Sequence, residues 1–168
     1  MIFNKEFIWY KDHYVYHITN KKNMENIITN GLKPMLGERS ISIGDTIKGI
    51  YFTDNLYVID EWMDKLYDNK DSLEVLRFNL KRLKWYIHNG GEDFYLTNKV
   101  LPEKLDYLTI YEKDKHLTLK EAFGITFDGK NYHSNHDIYK LDYRWQRIKE
   151  YKYDKKFEKT YVKKINRL

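Results

Sequence analysis

Apolar positions near the start of the chain change from a strand pattern to a helix pattern within a few residues. Tyr14-Val15-Tyr16 is an aromatic and β-branched run, which is typical of a strand on a pleated, half-buried surface. Met24, Ile27 and Ile28 follow at the i, i+3 and i+4 positions of a helix. The segment therefore predicts a strand that leads directly into a short amphipathic helix.

Polar and glycine residues mark both ends of this helix. Asn20 and Asn23 are both candidates for the N-cap, because a short side-chain amide can accept from the first free N–H groups. Gly31 is suited to the position after the last turn, and Pro34 prevents the helix from resuming. The corner before the helix is favourable for an anionic ligand, since the first helical N–H groups point outward.

The remaining pattern alternates short strands with few helices. It predicts a buried strand at 49–53, a helix at 56–66, strands at 73–80 and 105–111, a hairpin at 85–97, a helix at 118–123, a loop at 124–137, and a final helix with Ile138, Leu141, Trp145 and Ile148 on one face. Two helices precede a run of strands, which favours a mixed α+β domain with an antiparallel or split sheet.

Composition excludes several classes of protein. The chain has no cysteine, so disulfides and thiolate metal sites are excluded. Aromatic residues make up 17% of the chain and 16 of them are tyrosines, which predicts a core of rings with polar tips. No apolar run is long enough for a membrane helix and no signal-peptide pattern begins the chain, so we expect a soluble, cytoplasmic protein.

The net charge of +5 is concentrated at the C-terminus. Residues 140–168 contain 11 Lys and Arg against 4 Asp and Glu, a net charge of +7, whereas the other 139 residues have a net charge of −2. We therefore divide the chain into a body, 1–139, and a basic, aromatic-rich extension, 140–168, packed on or extending from the same domain. The extension can neutralise phosphates while its rings stack on bases, or it can be a solvated helix whose rings pack on the body.

Three separated segments contain groups that could form one pocket. His17 and Thr19 follow the first strand, Tyr51 lies in a strand after a glycine, and Glu92 and Asp93 follow the turn Gly90-Gly91. An imidazole, a phenol and a carboxylate on three strands would suit a sugar hydroxyl and a flat heteroaromatic ring. Taken singly, each of these residues also fits an ordinary structural role.

The order of these motifs resembles the ADP-ribosyltransferase fold of the His-Tyr-Glu type, closest to small bacterial and phage members that include the toxins modifying DNA bases. The family's first strand contains H-x-T, here His17-Ile18-Thr19, and its helix ends at Gly31-Leu32. Its strand tyrosine is Tyr51 in GIYF. Its acidic residue begins a strand that runs into Val100-Leu101-Pro102-Glu103, so the resemblance covers about residues 14–108.

The resemblance implies an ADP-ribosyltransferase-like split antiparallel sheet with short flanking helices and NAD as a substrate. His17 and Thr19 would hold the nicotinamide ribose and amide, and Tyr51 would stack on the nicotinamide ring. Gly31 and Arg39 would complete the NAD-binding set, Arg39 through the match of a guanidinium to a pyrophosphate.

The catalytic acid implied by the resemblance is Glu92 or Asp93. Asp93 has the better register and Glu92 the longer side chain, and successive strand residues face opposite sides. The acid would stabilise the positive charge that develops as nicotinamide leaves. No metal is needed, and His133 and His136 without a third ligand favour a polar loop over a metal site.

The expected activity is therefore mono-ADP-ribosylation of a nucleic acid or a protein, in a toxin or phage effector. Two alternatives stay open. One is a catalytically inert module of the same fold that binds a nucleotide or a partner, and the other is an RNA 2′-phosphotransferase-like enzyme.

Overall fold

A computed structural model of the chain describes residues 13–35, 48–66, 73–81, 83–88, 93–123, 125–127, 129–130, 132–134 and 138–152. The strands are β1 (Tyr14–Asn20), β2 (Ile50–Phe52), β3 (Leu73–Asn79), β4 (Trp85–His88), β5 (Asp93–Leu96), β6 (Asp106–Glu112), β7 (Lys115–Leu117), β8 (Ile125–Phe127), β9 (Tyr132–Ser134) and β10 (Asp142–Arg147). The helices are α1 (Met24–Asn30), α2 (Leu56–Leu66) and α3 (Leu119–Phe123). Short 3-10 turns lie at Lys21–Asn23, Pro102–Lys104, Ile138–Lys140 and Ile148–Glu150.

The strands form antiparallel sheets of different size. The large sheet has the order β1-β3-β6-β10, and β7 also pairs with β6. A second sheet has the order β2-β5-β4, and β8 pairs with β9 alone. The predicted α+β class with mostly antiparallel sheets is therefore confirmed.

Two apolar clusters lie on opposite faces of the large sheet, because neighbouring residues of a strand point in opposite directions. One cluster contains Val15, Leu76 and Phe78 and packs against α1 and the second sheet. The other contains Ile18, Val75 and Ile110 and packs against α2 and α3. The strands are thus covered on both sides over much of their length.

The predicted boundaries of α1 are confirmed in their main features. The Asn20 side chain accepts from the N–H of Lys22 at 3.2 Å and so caps the 3-10 turn that precedes the helix. Asn23 makes no capping hydrogen bond with its side chain. Gly31 ends the helix with a φ of +79° and donates its N–H to the Ile27 carbonyl at 2.8 Å.

The predicted final helix is wrong. The segment forms a 3-10 turn, strand β10 and a second 3-10 turn, with Ile138 and Ile148 buried in the two turns. Tyr143 and Trp145 alternate with polar neighbours, and this period of two suits a strand that pairs with β6 along its length. The predicted loop at 124–137 is also wrong in part, because it contains the β8–β9 hairpin.

The structure describes residues 138–152 of the C-terminal part, and β10 within them is an integral strand of the large sheet. Residues 153–168 of the predicted basic extension lie outside the described residues. Within the described residues, no helix combines the length and the apolar character that crossing a membrane requires.

Candidate functional site

Among the described residues, backbone hydrogen bonds join the large sheet to the second sheet at the pair Tyr16 and Thr53. Tyr16 of β1 donates to the Thr53 carbonyl at 2.8 Å, and Thr53 donates to the Tyr16 carbonyl at 3.0 Å, just beyond the end of β2. In a continued antiparallel ladder, the next hydrogen-bonded pair would be Ile18 with Tyr51. Instead the ring Nδ1 of His17 lies 2.6 Å from the Tyr51 carbonyl oxygen. His17 therefore stands where the two sheets separate.

This contact determines which ring nitrogen of His17 carries the proton. A carbonyl oxygen only accepts, so Nδ1 must be the donor. Burial lowers the pKa of the imidazole, and the hydrogen bond to Tyr51 opposes that shift without cancelling it. At neutral pH the ring is therefore uncharged, and its Nε2 lone pair can accept a hydrogen bond from a ligand hydroxyl.

Thr19 lies on the same face of β1 as His17, two residues further along. It is buried, and its hydroxyl accepts from the Asn23 side-chain amide at 3.4 Å. This bond ties the end of the strand to the start of α1. Both residues of the H-x-T motif lie within β1, which continues to Asn20, rather than after the strand, and Thr19 is the one that contacts the start of α1.

Tyr51 contributes its backbone to His17 and its ring to a different cluster. Its strand neighbours Ile50 and Phe52 are buried in the core, so the Tyr51 ring points to the other face of the second sheet. The rings of Tyr51 and Tyr95 are 5.8 Å apart, and those of Tyr95 and Tyr86 are stacked at 5.2 Å. We call these three residues the tyrosine ladder.

Gly49 makes room for the tyrosine ladder. A Cβ at this position would lie 3.1 Å from both Cβ and Cδ2 of Tyr95, and 3.2 Å from the Leu96 carbonyl oxygen. The glycine that precedes the strand tyrosine therefore has a steric function.

The segment containing the predicted catalytic acid lies beside β2. Asp93 is the first residue of β5 and pairs with His88, and the next residue, Phe94, pairs with Phe52. The strands bearing His17, Tyr51 and Asp93 are therefore consecutive neighbours. Glu92 and Arg39 lie outside the described residues.

Gly31 has a clear structural function. Its φ of +79° and ψ of −169° belong to a region that only glycine adopts readily. A Cβ at this position would lie 2.1 Å from the Val100 carbonyl oxygen, and the adjacent Leu32 exchanges two 2.9 Å hydrogen bonds with Val100. The two motifs Gly31-Leu32 and Val100-Leu101-Pro102-Glu103, which are distant in the sequence, are thus in direct contact.

Glu74 is a candidate site residue that the sequence reasoning missed. It lies on β3 directly opposite Thr19, and the Tyr151 hydroxyl donates to its Oε1 at 3.1 Å. Burial raises the pKa of this carboxyl to about 7, against the lowering effects of the Lys21 charge and the Tyr151 hydrogen bond. The sequence contained one signal for it. Glu74 alternates with Leu76 and Phe78 along the strand, so a carboxylate lies on a strand face that is otherwise apolar.

The opposite face of the large sheet has an arginine between two rings. The Arg77 guanidinium lies 4.2 Å from the Tyr14 ring centroid and 4.9 Å from that of Trp145. It also forms a 2.9 Å ion pair with the buried Asp106, whose other oxygen lies 3.4 Å from Arg147. This face combines cationic and aromatic groups at the level of β10.

Within the described residues, no three side chains of His, Cys, Asp or Glu gather to hold a metal ion. Comparisons of the chain with protein-family models, curated proteins and solved structures found no match.

Proposed function

We propose that this chain is an NAD-dependent mono-ADP-ribosyltransferase that modifies a macromolecular acceptor. The observation that supports the proposal most strongly is the 2.6 Å contact of His17 Nδ1 with the Tyr51 carbonyl. It joins the H-x-T segment to the strand tyrosine at the point where the sheets diverge, and it leaves an imidazole acceptor facing away from the bond. A ribose hydroxyl is a suitable donor to that Nε2.

The reaction breaks the C1′–N bond between ribose and nicotinamide, and the bonding electrons leave with nicotinamide. A nucleophile of the acceptor attacks C1′ and loses its proton. Positive charge develops on the ribose during this step, so a carboxylate beside C1′ would stabilise the transition state electrostatically. We assign Glu92 or Asp93 to that function, and the pairing of β5, which begins at Asp93, with β2 supports the assignment.

Tyr51 and Thr19 are assigned to binding. A phenol ring can stack on nicotinamide, and Thr19 lies on the same strand face as His17. The tyrosine ladder favours one alternative, a nucleotide-binding module without turnover. The Tyr51 ring already lies against Tyr95, and this contact competes with stacking of the ring on nicotinamide.

We assign nucleic acid as the preferred acceptor class because of the exposed cations of the described C-terminal part. The side chains of Arg144 and Arg147 are 57% and 60% exposed, and Lys149 and Lys152 are also exposed. Arg144 and Arg147 lie on β10, and Lys149 and Lys152 follow the strand, so this segment offers several cations to phosphates.

The proposal is tested by mass spectrometry of host lysate treated with isotope-labelled NAD, with nucleic acid and protein fractions separated. An added mass of one ADP-ribose in either fraction, dependent on the protein and on His17, is the expected result. Labelling confined to nucleic acid supports the acceptor assignment, and labelling confined to protein contradicts it. Tight NAD binding with no label in any fraction would identify the non-catalytic module.

A further inference from the structure

Resting on the proposed function, we infer that Glu74 is the general base that accepts the proton of the acceptor nucleophile. Its carboxyl shares a face of the large sheet with His17 and Thr19. The pairing of β1 with β3 places His17 opposite Leu76 and Thr19 opposite Glu74. Directly opposed side chains in such a ladder have Cβ atoms about 5 Å apart, and diagonal neighbours are separated by about 7–8 Å.

This diagonal separation of His17 and Glu74 is suitable for two groups that contact one ligand from different sides. His17 directs Nε2 away from its bond to Tyr51, and Glu74 lies opposite Thr19 on the neighbouring strand. A hydroxyl or amine between them could be hydrogen-bonded to the imidazole at one atom and to the carboxylate at another.

The hydrogen bonding of Glu74 differs from that of a structural carboxylate in the same sheet. Asp106 has an arginine at each oxygen, Arg77 at 2.9 Å and Arg147 at 3.4 Å. Glu74 receives one hydrogen bond, from the Tyr151 hydroxyl to Oε1, and forms no salt bridge within the described residues. Within the same residues its Oε2 accepts no hydrogen bond.

The charged and titratable groups around Glu74 come from several elements. Lys21 of the turn before α1 stabilises the carboxylate, as does the Tyr151 hydroxyl after β10. The pKa of Tyr107 on β6 is raised mainly by burial, and the negative charges of Glu74 and Glu150 raise it further. His17 is neutral at pH 7 because burial lowers its pKa.

The resulting pKa of Glu74, about 7, supports the assignment because a general base is most effective near the operating pH. In the step, the O–H or N–H bond of the acceptor breaks and its proton passes to Glu74. The nucleophile forms its bond to C1′ as the C1′–N bond breaks, and nicotinamide leaves with that electron pair. The proton is then released to water, so the products are the ADP-ribosylated acceptor, nicotinamide and one proton.

The test is the pH profile of kcat/KM for acceptor-dependent nicotinamide release. Wild type should lose activity tenfold per pH unit below about 7, since the base must be ionised. Glu74→Gln should lower kcat/KM at pH 8 at least about 100-fold and remove the acidic limb. Glu61→Gln, an exposed carboxylate of α2 on the other side of the large sheet, is the matched control and should retain the wild-type profile.

A second variant keeps the inference testable if Glu74→Gln does not fold. Tyr151→Phe removes the hydrogen bond that lowers the pKa of Glu74, so its acidic limb should move to higher pH. In an active enzyme, a Tyr151→Phe profile superimposed on that of wild type would overturn the inference alone, and so would a wild-type profile from folded Glu74→Gln. Absence of nicotinamide release by wild type at every pH would overturn the proposed function and the inference with it.

Discussion

The imidazole of His17 donates from Nδ1 to the carbonyl oxygen of Tyr51, 2.6 Å away, at the position where the large sheet and the second sheet cease to pair. This bond replaces a backbone link that a continuous ladder would have made with Ile18. It holds the ring in one orientation and in the tautomer whose Nε2 is the accepting nitrogen. The proposed NAD site is built on this relationship.

Replacement of Glu74 should change how stability depends on pH. The folded pKa, about 7, lies above the unfolded value of 4.5, so the stabilising contribution of the protonated carboxyl is complete below pH 4.5 and is lost as pH rises through 7. Glu74→Gln should therefore gain stability relative to wild type between pH 4.5 and pH 8. Urea unfolding at several pH values measures this, and a pH-independent difference would contradict the assigned pKa.

His17 contributes to the pH dependence of stability with the opposite sign. Its folded pKa lies below the ordinary value of 6.5, so its stabilising contribution is present above pH 6.5 and is lost as pH falls below that value. His17→Gln should flatten this acidic loss in the same urea series. An unchanged slope below pH 6.5 would show that the imidazole is not kept neutral by the fold.

Gly31→Ala should be strongly destabilising, by about 3 kcal/mol or more, because it combines backbone strain with a collision against the Val100 carbonyl. Gly129→Ala is the matched control. Gly129 also has a positive φ, +94°, but a Cβ there meets nothing within 4 Å, so only the backbone cost of about 1 kcal/mol applies. Equal losses in thermal unfolding for the two variants would contradict the close approach of Gly31 to Val100.

Two arginines contact Asp106, and their replacement should lower the free energy of unfolding by very different amounts. Arg77→Met removes the 2.9 Å partner, whose side chain is 23% exposed, and should cost about 3 kcal/mol because the buried carboxylate loses its main counter-charge. Arg147→Met removes a 60% exposed partner at 3.4 Å and should cost less than about 1 kcal/mol. A larger loss for Arg147→Met in chemical unfolding would show that Arg147 is the principal partner.

If the acceptor is a nucleic acid, its binding should depend on particular cations of the C-terminal part and not on the net charge of the protein. Replacing Arg144 and Arg147 by glutamine should weaken binding of a single-stranded oligonucleotide and reduce the slope of log Kd against log salt concentration by about 2. The control replaces Lys81 and Lys84, two exposed lysines near β4, and should have little effect. Fluorescence anisotropy over a salt series gives both slopes, and equal changes would indicate attraction by net charge alone.

Local signals in the sequence predicted the first part of the fold well. Asn20 and Gly31 act within one turn of their own positions, and the short apolar patterns of α1 and α2 require no distant information. The final helix was wrongly predicted because Ile138 and Ile148 have helical spacing although they lie in separate turns. The alternation of Tyr143 and Trp145 with polar residues was the signal that correctly indicated a strand.

The site was predictable only in its separate segments. Their motifs singled out His17, Thr19 and Tyr51 as candidates, and the structure brings their strands β1 and β2 next to each other and β2 next to β5. Glu74 was missed because its importance depends on cross-strand pairing with Thr19 and on a hydroxyl from Tyr151, neither of which a local pattern contains. The choice between Glu92 and Asp93 depends on side-chain direction, which strand alternation alone leaves open.

The most direct test of the account is the release of nicotinamide from NAD by the purified chain, followed by chromatography. His17→Ala is compared with His116→Ala, an exposed histidine on β7, after circular dichroism has shown that both variants are folded. We predict release by wild type and His116→Ala, and a loss of at least about 100-fold in His17→Ala. Equal rates for wild type and His17→Ala, or no release by wild type, would contradict the central claim.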